Sequence, residues 1–161
     1  MKFIVTIAIL FATASQAETL PPKSGFADPA QEREWIALCN GKKPDALACY
    51  NLGVTEAQDR DNEPKGIEYY KKACGLGEAL ACFNLGGLLI KNRQGAVPVV
   101  DASKRVEGAA AFEKTCALFK KNPPRDADER SLRDQGCSFP AIIRKNSGIE
   151  YNALLKKMGL I

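Results

Sequence analysis

The chain has 161 residues, with 23 basic and 19 acidic side chains for a formal charge of +4, and it contains no histidine. So small and dispersed an excess argues against nucleic acid or an anionic membrane surface as partner. The missing imidazole removes Ser-His-Asp and Cys-His catalysis, the HExxH metal sites and the zinc ligand sets that use histidine.

The first segment, MKFIVTIAILFATASQAE, places Lys2 ahead of twelve uncharged, largely apolar residues from Phe3 to Ala14. Ser15 and Ala17 are small residues at the −3 and −1 positions of a cleavage site. This pattern predicts a secretory signal peptide over residues 1–17, too short to span a bilayer. The expected protein is therefore periplasmic or secreted, with no stable membrane anchor. Residues 18–30, ETLPPKSGFADPA, read as an extended leader, and residues 31–161 as one domain.

All six cysteines, Cys39, Cys49, Cys74, Cys82, Cys116 and Cys137, fall after the leader. An even count in an exported chain implies disulfides, although spacing alone leaves many pairings open. No CxxC pair occurs, which argues against a redox dithiol of that type, a zinc knuckle or a c-type haem site. No metal site and no cofactor are expected.

The domain repeats itself. DALACYNLG (45–53) and EALACFNLG (78–86) are identical at seven of nine positions, 33 residues apart. A second element also recurs: GIEYYKKACGL (66–76) matches GAAAFEKTCAL (108–118) in Gly, Lys, Cys and Leu, with Tyr70 opposite Phe112. EREWIALCNG is a diverged first copy of that element, and RDQGCSFP a distant third copy of the first, with Gly136-Cys137 opposite Ala81-Cys82. Two elements, A and B, thus alternate three times, each carrying one cysteine. Internal periodicity of this size is the mark of a repeat architecture.

Both elements read as helices. In the second A element Pro64 suits a first turn, Ile67, Tyr70 and Cys74 share one face, and Gly75 and Gly77 mark the stop. The B element runs from about Glu78 to Ile90 with Ala81, Cys82, Leu85, Leu88 and Leu89 on one face. Period-two alternation is absent, so strands are not expected. After KNRQGAVPVVDAS the third A element spans Ser103 to about Lys121, with Ser103 as a candidate N-cap. KKNPPRDADER reads as a loop before the third B element, and IEYNALLKKMGLI as a capping helix. The units are placed at about 31–61, 62–100 and 101–146, with the cap at 147–161. Gly53 and Gly86 recur inside helices, where glycine costs about 1 kcal/mol relative to alanine, so a packing reason is expected.

If each A and B helix form an antiparallel hairpin, the A cysteine at the end of one helix meets the B cysteine in the first turn of the next. That arrangement favours the local pairs Cys39–Cys49, Cys74–Cys82 and Cys116–Cys137. Each would contribute roughly 2–3 kcal/mol by restricting the unfolded chain.

KGIEYYKKACGLGEALACFNLGGLL, from Lys65 to Leu89, resembles a Sel1-like repeat, in which a helix ending YYKKA precedes a glycine turn and A-x-NLG. The cysteines eight apart are similar to those of the Helicobacter cysteine-rich protein family, in which a disulfide bridges each helical hairpin. The first unit departs from that spacing, with cysteines ten apart, and the third departs further, at 21. The resemblance implies an all-α fold: an α/α solenoid of about three hairpins, related to tetratricopeptide arrays, disulfide-stapled and closed by a C-terminal capping helix. It also implies a non-enzymatic interaction module, and the expected protein is a monomer that takes a protein or peptide ligand on its concave face. Family members serve as adaptors, and some bacterial ones as immunity proteins against a toxic effector.

The candidate ligand-binding residues are Tyr69, Lys72, Asn51 and Asn84. Tyr69 is rotated about 100° from the cysteine face and is expected to be exposed, whereas Tyr70 and Phe112 read as core. Asn51 and Asn84 could bond a ligand or the backbone of the inter-helix turn. Lys71, Lys72, Lys114 and Lys120 form either a basic stripe or an ordinary solvated face. The alternative function is that of a penicillin-binding protein or weak β-lactamase, an activity attributed to the cysteine-rich relatives. Its chemistry needs an activated serine. Ser24, Ser103, Ser131, Ser138 and Ser147 each lack a lysine three residues on, and SDN, KTG and GxSxG are absent. No catalytic residue is therefore assigned.

Overall fold

The computed structural model describes residues 28–90 and 102–145, together with Ala153, Lys156 and Lys157, which are helical. The expected signal peptide, nearly all of the expected leader and most of the expected cap lie outside the described residues. Within them the chain is all-α: α1 (Pro29–Asn40), α2 (Ala46–Val54), a π-helical turn (Thr55–Asp59), α3 (Glu63–Gly75), α4 (Ala79–Ile90), α5 (Ala102–Lys121) and α6 (Ala127–Lys145). Each helix packs against the next in sequence.

Helix ends follow local chemistry. Asp28 caps α1 ahead of Pro29, and the Asp45 carboxylate accepts from the Ala48 N–H at 2.7 Å at the start of α2. Helix α3 ends in a Schellman motif: the Glu78 N–H reaches the Ala73 carbonyl at 3.0 Å and the Gly77 N–H reaches that of Cys74 at 3.1 Å. Gly77 adopts φ +99°, a conformation that residues with a Cβ rarely tolerate. The reversal is tight enough to bring Cys74 beside Cys82, Cα to Cα 4.7 Å.

Two departures from the sequence reading are structural. Ser103 does not cap α5: the helix already includes Ala102, so Ser103 sits within its first turn. The third B element does not begin near its cysteine, because α6 starts at Ala127 and Cys137 lies mid-helix. Helix α5 likewise continues past Cys116 to Lys121. The wide separation of this pair therefore comes from longer helices on both sides of a short Pro-containing connection, not from an inserted loop.

Among the described residues the core forms two clusters. Cys39, Cys49, Leu52, Tyr70, Ala73, Cys74, Ala81, Cys82, Leu85 and Leu89 form the larger cluster. Ile90, Ala109, Phe112, Phe139 and Ile143 form a second. Phe112 meets Phe83 and Phe139 edge-on, with ring centroids 5.2 and 5.3 Å apart. A β-carbon placed on Gly53 would stand 2.5 Å from Cδ1 of Tyr70, and one on Gly86 would stand 2.8 Å from Cε2 of Phe112. The repeated glycine is thus the seat for the aromatic ring of the following helix.

Candidate interaction face

Two polar links join alternate helices. Lys72 Nζ on α3 donates to Asn40 Oδ1 on α1 at 2.9 Å. Lys71 Nζ on α3 pairs with Glu107 on α5 at 2.8 Å. Consecutive lysines, about 100° apart around the helix, therefore reach different helices, Lys72 to α1 and Lys71 to α5. They do not form a free basic stripe, since each is tied to a neighbouring helix.

The four candidate residues are not brought together as one exposed site. Lys72 is half-buried and engaged by Asn40. Tyr69 is half-buried rather than exposed, because its ring packs against the larger core cluster, with Lys65 Nζ 6.0 Å from the ring centroid. Asn51 is buried in α2, at 8% exposure. Asn84 Nδ2 donates to the Tyr70 hydroxyl at 3.2 Å, a bond between α4 and α3. Burial raises the Tyr70 hydroxyl pKa well above its ordinary value, so it stays protonated.

The exposed apolar side chains are others: Ile36 and Leu38 on α1, Leu47 on α2, Leu76 in the α3–α4 turn and Val106 on α5. Sequence reading passed over them because WIALC looks like an uninterrupted core run. Only the position of α2 decides which side of α1 is covered.

A charged cluster at the π-helical turn also went unread. The Arg60 N–H bonds the Thr55 carbonyl at 3.1 Å, the i→i−5 spacing of a π-turn. The Glu56 side chain beside it is 4% exposed and pairs with Lys65 at 2.7 Å and Arg60 at 2.9 Å, while Asn62 Nδ2 donates to it at 3.2 Å. Arg60 also forms a two-pronged bond with Glu32 of α1, both contacts 2.7 Å. Burial pushes the Glu56 carboxyl up, but the bonds from Lys65 and Arg60 outweigh it and hold its pKa below the ordinary value. The Arg60 bond lowers that of Glu32. These groups satisfy one another and tie α1 to the start of α3.

A small cleft of ≈ 390 Å³ lies between Phe139, Ile142 and Lys145 of α6 and Ala153 and Lys157. Among the described residues no group of three or more cysteine, aspartate or glutamate side chains is placed to hold a metal ion. No described helix is long and apolar enough to cross a membrane.

The structure links Cys39 to Cys49, Cys74 to Cys82 and Cys116 to Cys137, leaving no free thiol. The first two bridges are buried. In the third, Cys116 is half-buried and Cys137 is exposed.

No family model, curated protein or solved structure matches the chain.

Proposed function

We propose that the protein is an exported, non-enzymatic interaction module, built as a short α/α solenoid of three Sel1-like hairpins, α1–α2, α3–α4 and α5–α6. The observation that carries this reading is the repeated seat: Tyr70 of α3 rests on Gly53 of α2 as Phe112 of α5 rests on Gly86 of α4. The same contact at equivalent positions joins each hairpin to the next, which is how a repeat array extends. Three disulfides are compatible with an extracellular or periplasmic location.

On this reading the ligand is a protein or peptide, and the binding face is the row α1, α3, α5, where Ile36 is an apolar contact among charged and polar side chains. Such an array serves as an adaptor or as an inhibitor of an effector protein. The test places a photocrosslinking residue at Ile36 and, separately, at exposed Arg130 on α6, in extract from the source organism's periplasm. A discrete adduct from position 36 that is absent from position 130 and lost in K71E supports the reading. Equal adducts from both positions overturn the assignment of the face. Nitrocefin hydrolysis by the purified protein that vanishes with a single Ser→Ala change overturns the non-enzymatic assignment.

A further inference from the structure

We propose that Cys116–Cys137 is a thiol-exchange site, open to an exported dithiol reductant while the other two disulfides remain closed. Cys39, Cys49 and Cys82 are 0% exposed and Cys74 is 5% exposed, whereas Cys137 is exposed and Cys116 is half-buried. Exchange requires a thiolate to reach one sulfur in line with the sulfur–sulfur bond, so access decides which bridge reacts. The approach is to Cys137 Sγ, and Cys116 leaves as the thiolate. Lys120, one turn further along α5 and exposed, places positive charge on the same helix face, which favours a thiolate leaving group. The second thiol of the reductant then attacks the mixed disulfide and releases Cys137. Two electrons and two protons pass to the cysteine pair, and the reductant becomes a disulfide.

The hairpin has other means of holding together when the bridge opens. Phe112 and Phe139 meet edge-on across α5 and α6 with centroids 5.3 Å apart. Both guanidinium arms of Arg144 bond Glu113, one at 2.8 Å. A β-carbon on Gly136 would stand 2.9 Å from Thr115 Cγ2, so the two backbones already lie close beside the bridge. Exchange at this site therefore changes surface chemistry without unfolding the helix pair.

The test uses the oxidised wild-type protein at neutral pH. Graded dithiothreitol is followed by N-ethylmaleimide quenching, peptide mass spectrometry and far-UV circular dichroism of the same samples. The expected result is labelling of Cys116 and Cys137 together, at least tenfold faster than the other four cysteines, with helical signal retained. Labelling of either other pair at a comparable or faster rate overturns the proposal. So does labelling of Cys116 and Cys137 only in step with loss of helix, which would mean that the bridge opens through unfolding.

Discussion

The ring of Tyr70 lies across Gly53, and a β-carbon at that glycine would stand 2.5 and 2.6 Å from two of its ring carbons. Tyr70 is 1% exposed, so the ring has no solvent to retreat into. Gly53→Ala should destabilise the fold by up to about 2 kcal/mol net, because an overpacking cost of roughly 1–3 kcal/mol exceeds the roughly 1 kcal/mol that alanine returns in helix propensity. Gly75→Ala is the control, since nothing lies within 4 Å of its β-carbon. It should be neutral or stabilising by up to about 1 kcal/mol. Urea titration of the two variants checks the opposite signs.

Acid should weaken the junction between α1 and α3. The carboxyls of Glu32 and Glu56 are both held below the ordinary value of 4.5. Carboxylates bound more tightly when ionised stabilise the folded chain fully above their unfolded pKa, and that contribution fades as pH falls through the lower folded pKa. Stability should therefore fall as pH drops below about 4.5. Glu56→Gln should flatten this acid slope and cost about 1–2 kcal/mol at pH 7, since it removes charge-assisted bonds to Lys65 and Arg60. Denaturant midpoints across a pH series measure both effects.

The helical class, the glycine stop after α3 and the core role of Tyr70 and Phe112 were legible because each rests on residues near in sequence. The π-helical turn and its charged cluster were not, because Glu56 and Lys65 meet only after the chain has folded back. Tyr69 and Asn84 show the same boundary from the other side. Helical period places them beside the core face, but the core edge that covers Tyr69 and the Tyr70 hydroxyl that receives Asn84 belong to the packed structure. Pro123-Pro124 announced a break between α5 and α6. The contact of Phe112 with Phe139 across the two helices belongs to the packed structure, and no local signal carries it.

The buried bridge of the central hairpin should contribute to stability mainly through the unfolded chain. Replacing both Cys74 and Cys82 by Ser releases a loop closed at a separation of 8 residues, for which chain entropy gives roughly 2–3 kcal/mol. Both sites are nearly inaccessible, so the two hydroxyls add a desolvation cost on top. The double variant should retain its helical spectrum and lose stability by at least that amount in non-reducing urea titration. Unchanged stability would mean that the Schellman turn at Gly77 alone closes the hairpin.

Phe112 joins three helices at one ring. It fills the seat at Gly86 on α4, meets Phe83 on the same helix and meets Phe139 on α6, all from α5. Its exposure is 0%, so truncation opens a cavity that the helix backbones cannot close. Phe112→Ala should cost about 3–5 kcal/mol. Adding Gly86→Ala to that variant should be less harmful than adding it to wild type, because the new methyl group then faces the cavity instead of a ring carbon 2.8 Å away. A double-mutant cycle on these two positions measures the coupling, which is expected to be about 0.5–3 kcal/mol for residues in direct contact. A coupling near zero would show that the ring can shift away from Gly86 in the folded protein, and that the glycine is kept for some reason other than this contact.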